Sequence, residues 1–107
     1  MVQTADKNLK IVKRFNKKLK KSYDIELFIL FGSRARGNFS QDSDFDIIVV
    51  SKDFIKYPAY KRSTNAYLEW TEDYPLEIFC YTPEEFEKIK KKSRVIREAI
   101  KEGIEIK

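Results

Sequence analysis

The sequence IELFILFGSRARGNFSQDSDFDIIVV occupies residues 25–50 and decides the fold of this chain. It begins with an apolar run, Ile25–Phe31, that predicts a buried strand because a short apolar run bounded by a glycine is typical of one. The segment Gly32-Ser33-Arg34-Ala35-Arg36-Gly37 then breaks the strand and predicts a short helix. After a polar loop over residues 38–43, residues 44–50 predict a second strand.

Helical spacing predicts the elements on both sides of this segment. A helix is expected over residues 6–23, where four apolar residues recur at steps of three or four: Leu9, Val12, Phe15 and Leu19. Pro58 suits the first turn of a helix that extends to about residue 70. The apolar run at residues 76–81 predicts a third strand.

Capping residues mark two further helices. Thr82, Pro83 and Glu85 suit the N-cap, N1 and N3 positions of a helix with a capping box, which extends to about residue 92. Ser93 is expected to cap another helix, and Gly103 is expected to end it.

The order of these elements predicts the fold class. Residues 104–106 alternate as a short edge strand does, so helices and strands alternate along most of the chain. We expect an α/β fold of the α+β type, with a small mixed sheet flanked by helices. A length of 107 residues with 42% apolar side chains suits a single domain over residues 1–107.

The composition excludes several kinds of chemistry. The chain has one cysteine, Cys80, and no histidine, which excludes an internal disulfide, a zinc site and histidine-based catalysis within it. A lone cysteine is typical of a reducing compartment, so a cytoplasmic location is expected. No apolar run reaches the ~18 residues of a membrane span.

The positive charge of the chain has two interpretations. A net charge of +5 fits either a polyanionic ligand or simple solubility. The first predicted helix carries much of this charge, but no aromatic residues interleave with its lysines, so nucleic acid is not the expected partner. A solvated lysine face is the preferred interpretation.

Two aspartates at the start of the second predicted strand carry the strongest chemical signal. Asp44 and Asp46 are two residues apart, so a strand would place both carboxylates on one side of the sheet. Two such charges repel each other unless a cation lies between them. That cation could be a metal ion or the side chain of a lysine or arginine.

The preceding segment adds an anion site. Gly32 would let a ligand approach the backbone, and the Ser33 hydroxyl and nearby backbone amides can bind phosphate oxygens. Arg34 and Arg36 add positive charge. Arg34 is expected either to contact a triphosphate or to form an ion pair with Asp44 or Asp46, and Arg36 is expected to form a structural pair with Asp42 or Asp46. Mg²⁺ favours one or two carboxylates together with substrate phosphates, so the pattern predicts a site for a magnesium–nucleotide complex.

Glu77 is a candidate third ligand. It lies in an otherwise apolar predicted strand, where burial of an unpaired acid is costly. The alternative is a surface acid on an edge strand.

These segments together resemble the nucleotidyltransferase superfamily that includes DNA polymerase beta. The resemblance is strongest to minimal nucleotidyltransferase (MNT) domain proteins of the antitoxin-like branch. It covers about residues 5–107 and rests on the glycine–serine step, the Asp44–Asp46 pair, Glu77 and the segment that begins Tyr81-Thr82-Pro83. The family position of Glu77 is Asp in many relatives.

The resemblance implies roles for these residues. Asp44, Asp46 and Glu77 would be the catalytic and metal-binding residues, holding two Mg²⁺ ions, with Mn²⁺ as a substitute. Gly32 and Ser33 would contact the triphosphate, with Arg34 as a further contact.

The resemblance also implies a reaction and a partner. A hydroxyl would attack the α-phosphate of ATP or another NTP and release pyrophosphate, with AMP as the expected group transferred. Larger members of the superfamily carry a second, helical domain that binds the acceptor, and none is expected here. Acceptor binding is therefore expected from a partner chain or from the exposed sheet, and some minimal members modify a helical HEPN-type toxin with AMP. The alternative is a catalytically weak antitoxin-like subunit that binds and masks such a toxin; homo-oligomerisation is left open.

Overall fold

The computed structural model describes the backbone of residues 2–107 and the side chains of residues 6–107. Helices and strands alternate along this part of the chain. The helices are α1 (Val2–Leu19), α2 (Ser33–Arg36), α3 (Ala59–Tyr67), α4 (Pro83–Lys92) and α5 (Arg94–Glu102), and a 3₁₀ turn covers Lys52–Lys56. The strands are β1 (Ile25–Phe31), β2 (Phe45–Ser51), β3 (Leu76–Tyr81) and β4 (Ile104–Glu105). Among the helices described, none has both the length and the apolar character needed to cross a membrane.

The four strands form one mixed sheet in the order β3-β2-β1-β4. Strand β1 runs antiparallel to β2 and to β4, whereas β2 and β3 run parallel. The parallel pair places Asp46 opposite Glu77, and the antiparallel pair places Phe31 opposite Asp46. The starts of β2 and β3 and the end of β1 therefore meet at one end of the sheet.

Each face of the sheet is covered by helices. On one face, Phe28, Leu30 and Ile47 belong to a core that also contains the apolar stripe of α1. On the other face, Ile48 and Val50 pack with apolar side chains of α4 and α5. The small mixed sheet flanked by helices that the sequence predicts is confirmed.

Several boundaries differ from those expected. Helix α1 ends at Leu19 rather than at residue 23. Tyr23 instead packs against Phe54, with 5.1 Å between the ring centroids, as the chain turns into β1. Pro58 is the N-cap of α3 rather than its first helical residue, and the helix ends at Tyr67.

The capping signals near the end of the chain are confirmed with one difference. Thr82 and Glu85 form the capping box of α4, and the Ser93 side chain caps α5. Gly103 ends α5 but has a negative φ of −77° rather than a left-handed conformation. A glycine is required at this position for a steric reason instead, because a Cβ there would lie 2.9 Å from the Leu30 carbonyl oxygen.

Side chains from α3 cover the outer edge of β3. The Tyr67 hydroxyl donates to the Leu76 carbonyl oxygen at 2.6 Å, and the Arg62 guanidinium donates to the Cys80 carbonyl oxygen at 3.4 Å. Arg62 is itself buried, and it also bonds to Glu85. These contacts occupy edge carbonyls that would otherwise face solvent, while the Glu77 side chain between them stays exposed.

Candidate active site

Three carboxylates meet where β2 and β3 begin. Asp44 directly precedes β2, Asp46 lies within it and Glu77 lies opposite Asp46 on β3. Each of the three offers an oxygen atom, and these oxygens lie within 4.8 Å of one another. Asp44 and Glu77 are exposed and Asp46 is half-buried, so the cluster opens to solvent. The sequence argument from the cost of burying Glu77 does not hold, because its strand lies at the sheet edge.

The charge of this cluster is poorly balanced by protein cations. Burial, followed by the nearby carboxylates of Glu77 and Asp44, raises the pKa of Asp46 to about 6, while the positive charge of Arg36 acts in the opposite direction. Among the described side chains, the ion pairs within 4.0 Å involve other acids. The lysine or arginine that the sequence left open as a neutralising partner is therefore not in contact here.

Gly32 makes room for one of these carboxylates. It has φ +76° and ψ −159°, a conformation that is almost confined to glycine. A Cβ at this position would also overlap the Asp46 carboxylate. The sequence suggested that this glycine lets a ligand approach, and the structure adds that Asp46 itself requires the space.

Ser33 is the first residue of α2 and is half-buried beside Gly32. The Gly32 carbonyl oxygen accepts bonds from the amides of Ala35 and Arg36, which closes this short helical turn. Ser33 thus directly follows the glycine that contacts Asp46. Its position is compatible with a phosphate contact next to the carboxylates.

Arg34 neither forms the ion pair with an aspartate nor points freely to a triphosphate, the two roles that the sequence suggested. Its side chain is buried, and its guanidinium bonds to Asn8, to the Gln41 carbonyl oxygen and to the Ser43 carbonyl oxygen. Burial lowers the pKa of the Arg34 guanidinium, although arginine remains charged in proteins. Few of its donors remain for a triphosphate, and its partners do not include Asp44.

Arg36 is the exposed arginine of this segment. It forms a 3.8 Å ion pair with Glu102 of α5, and both side chains are about half exposed. A structural pair was expected for Arg36, but with Asp42 or Asp46 as the partner. Its positive charge nevertheless acts on Asp46.

Some neighbours of the site were not recognised from the sequence. The rings of Phe39, Phe45 and Tyr74 surround the Arg34 guanidinium at 4.4–4.9 Å, and Asn8 of α1 bonds to it. In the sequence, Asn8 is distinguished only as a polar residue one position before the apolar stripe of α1. Such a signal does not identify a partner 26 residues away.

The carboxylate cluster fits a hard divalent cation. Mg²⁺ and Mn²⁺ favour carboxylate oxygens, and the chain supplies three carboxylates in an open site, where none of the described side chains is a counter-ion in contact. Open coordination positions suit a metal that is shared with a substrate. Asp44, Asp46 and Glu77 could therefore hold a metal ion.

Comparison with known proteins assigns the class. Residues 10–106 match the nucleotidyltransferase domain family, and the chain belongs to that family. A candidate nucleotidyltransferase from Sulfolobus solfataricus has a similar crystal structure, with a TM-score of 0.67 and 20% sequence identity. The match covers 97% of this chain and 83% of that one, and it supports the fold. No curated protein gives a significant match.

Proposed function

We propose that this chain is a metal-dependent enzyme that transfers a nucleoside monophosphate from an NTP, with AMP from ATP as the expected case, to a hydroxyl group. Membership of the nucleotidyltransferase family supports the general reaction. The metal dependence and the NTP substrate are proposed from the cluster of Asp44, Asp46 and Glu77, whose oxygens lie within 4.8 Å of one another. The carboxylates of such a cluster repel one another unless a cation is bound between them. An NTP supplies that cation, because its phosphates bind Mg²⁺.

Each residue of the site is proposed to have a distinct role. Asp44 and Asp46 would hold the metal ions that accompany the triphosphate, and Glu77 would complete the set and accept the proton of the attacking hydroxyl. Gly32 and Ser33 would position the triphosphate. When bound, two divalent ions would stabilise negative charge on the attacking and leaving oxygens.

The acceptor is proposed to be a hydroxyl on a partner protein, such as a helical toxin of the HEPN type. The proposal is supported by the exposed position of the carboxylate cluster, which leaves it accessible to an acceptor as large as a protein. Exposed apolar side chains on and just after α3, Tyr60 at 71% and Leu68 at 75%, are suited to contact a partner.

A label-transfer experiment tests the proposed function. The chain, purified with any protein that accompanies it, is incubated with ATP labelled at the α-phosphorus and Mg²⁺, with and without EDTA. We expect a labelled protein that disappears with EDTA and with Asp44→Asn. Labelling that is unaffected by EDTA, or the absence of both labelling and metal-dependent ATP binding, would contradict the proposal. The same assay with GTP, CTP and UTP gives the base preference.

Glu77→Gln is expected to remove transfer while leaving the fold and ATP binding nearly unchanged. Glutamine is close in size but cannot accept the proton or supply an anionic ligand, so we expect the transfer rate to fall by about 100-fold or more. The side chain is exposed, so the melting temperature should move little. The measurements are the label-transfer rate, calorimetric ATP affinity with Mg²⁺, and thermal melting.

Glu26→Gln is the matched control for this change. Glu26 is also an exposed acid on a strand, but it lies in β1 near the end of the sheet away from the carboxylates. It should retain the full rate. Full activity of Glu77→Gln would remove Glu77 from the site.

The second candidate function is an antitoxin-like subunit that masks a toxin without modifying it. The exposed apolar side chains near α3 also fit this role. Asp46→Asn distinguishes the two functions in cells that carry the toxin. Loss of protection with this variant supports catalysis, whereas full protection supports masking.

A further inference from the structure

We infer that Arg34 is a positioning residue that holds the residues on both sides of Asp44, through the Ser43 carbonyl before it and the Phe45 ring after it, and so sets the metal affinity of the site. The inference rests on the proposed function, since it assigns Asp44 to metal binding. It replaces the triphosphate contact expected for Arg34 from the sequence. Its basis is the set of contacts that Arg34 makes immediately before and after Asp44.

The first set of contacts precedes Asp44. The Arg34 Nε and Nη2 atoms donate to the Ser43 carbonyl oxygen at 3.2 and 2.9 Å, and Nη2 also donates to the Gln41 carbonyl oxygen at 3.1 Å. The Ser43 carbonyl belongs to the peptide group that joins Ser43 to Asp44. Because this peptide group is planar and includes the Asp44 Cα atom, the bonds to its carbonyl oxygen help to orient the Asp44 side chain.

The second set of contacts is with aromatic rings and includes Phe45, the residue that follows Asp44. The Arg34 guanidinium carbon lies 4.4 Å from the ring centroid of Phe45, and the rings of Phe39 and Tyr74 lie at 4.9 and 4.8 Å. Phe45 is fully buried as the first residue of β2. One guanidinium thus contacts the residue before Asp44 and the residue after it, while Asp44 itself stays exposed.

Arg34 is in turn held by α1. Its Nη1 atom donates to the Asn8 side-chain oxygen at 3.1 Å, and the Asn8 side-chain nitrogen donates to the Arg34 carbonyl oxygen at 3.4 Å. Both residues are buried, at 2% exposure for Asn8 and 5% for Arg34. The carbonyls that precede Asp44 are therefore tied through one side chain to a helix of the core.

The chemistry of this arrangement requires arginine. A guanidinium is planar and can lie between aromatic rings while its edge donates to carbonyls in two directions. A lysine ammonium cannot match this fork of donors, so Arg34→Lys should leave the Ser43 carbonyl less well held. Partners that orient a metal ligand typically change metal affinity by about 10–100-fold when they are removed.

Arg62 supplies the matched control. It is also 5% exposed and also donates to backbone carbonyls, those of Tyr57 and Cys80, but its ion pair is with Glu85. Arg62→Lys should therefore destabilise the fold without loosening Asp44.

The test is a Mn²⁺ titration of each variant in the presence of an ATP analogue with a methylene group between the α and β phosphorus atoms. It is run well below the melting temperature of every variant. We expect Arg34→Lys to raise the half-saturating Mn²⁺ concentration at least about tenfold, whereas Arg62→Lys leaves it near the wild-type value. The transfer rate of Arg34→Lys should recover partly at high metal concentration. An unchanged half-saturating concentration in folded Arg34→Lys would overturn the inference.

Two further measurements keep the outcomes separate. Asn8→Ala removes both hydrogen bonds between Asn8 and Arg34 but leaves the bonds of Arg34 to the Gln41 and Ser43 carbonyl oxygens. It should shift the Mn²⁺ titration in the same direction by a smaller factor, which matters if Arg34→Lys does not fold. The Phe45 amide, which directly follows Asp44, donates to the Pro75 carbonyl oxygen at 2.8 Å, and its hydrogen exchange, measured without metal, should become faster in Arg34→Lys than in wild type. If wild type does not bind the Mn²⁺–analogue complex, the proposed function fails, and this exchange rate alone then decides the role of Arg34.

Discussion

Asp46→Asn should abolish nucleotidyl transfer and, in the metal-free protein at neutral pH, raise the free energy of unfolding. The half-buried Asp46 carboxylate lies against Glu77 and Asp44, and these surroundings raise its pKa from 3.8 to about 6. A neutral amide removes that repulsion but supplies a poor ligand for a hard metal ion. We expect a gain of about 1 kcal/mol at pH 7.5, after allowing for solvent screening of a partly exposed group.

The direction of the pH dependence follows from the raised pKa. Between about pH 4 and pH 6 the folded metal-free protein retains a proton on Asp46 that the unfolded chain has released. The stability contribution of Asp46 therefore falls as the pH rises through this range and is unfavourable above it. In denaturant titrations across this range, the advantage of Asp46→Asn over wild type should grow with pH until about pH 6 and then level off.

Metal binding should show the opposite dependence on pH. Protons and metal ions compete for Asp46, so wild-type affinity for metal should weaken as the pH falls below about 6. Asp44→Asn is the control, because that carboxyl is exposed. It should reduce transfer but gain less stability than Asp46→Asn. Equal stability of wild type and Asp46→Asn at pH 5 and at pH 7.5 would contradict this account.

Gly32→Val should have the largest structural effect in this site. A β-branched residue is strained at a φ of +76°, and its Cβ would overlap the Asp46 carboxylate. We expect a loss of about 2–4 kcal/mol in stability, with loss of metal-dependent nucleotide binding. Denaturant unfolding and calorimetry with ATP and Mg²⁺ measure the two effects.

Two neighbouring residues provide controls for Gly32. Gly37 also has a positive φ, +92°, but a Cβ there would meet no atom within 4 Å. Gly37→Val therefore reports backbone strain without the overlap, and it should retain nucleotide binding. Ser33→Ala removes one hydroxyl and should weaken nucleotide binding by only about 0.5–1.5 kcal/mol. Equal nucleotide affinities for Gly32→Val and Ser33→Ala would contradict the role given to Gly32.

The strands and the α4 capping box could be predicted because their signals are local. The apolar runs at Ile25–Phe31 and Leu76–Tyr81 have the bounds that the sequence predicts. The capping box of Thr82 and Glu85 depends on a spacing of three residues, which the sequence shows directly. The end of α1 was less predictable, because the ring contact between Tyr23 and Phe54 joins distant parts of the chain.

The two arginines of the Gly32–Gly37 segment show where local signals fail. Arg34 and Arg36 are two residues apart and look equivalent in the sequence, yet Arg34 is buried and Arg36 is exposed. The difference depends on aromatic rings and carbonyls from three other segments, which the sequence does not bring together. Whether an arginine near a binding loop is buried or exposed thus depends on tertiary contacts that the sequence spacing alone does not predict.

Glu77 shows a different limit. The sequence places an acid in an apolar strand, but whether that acid is buried depends on the strand order, and β3 lies at the sheet edge. Its proximity to Asp46 depends on the parallel pairing of β2 and β3, which neither strand specifies alone.

The parallel pairing of β2 and β3 has a consequence for the order in which the molecule folds. Two parallel strands need a crossover between their ends, and here residues 52–75 supply it, including α3. Asp44 and Asp46 precede the crossover and Glu77 follows it, so the three carboxylates meet only when this long-range contact has formed. We therefore expect the acidic cluster to assemble late on the folding pathway, with its repulsion opposing the last step rather than the first.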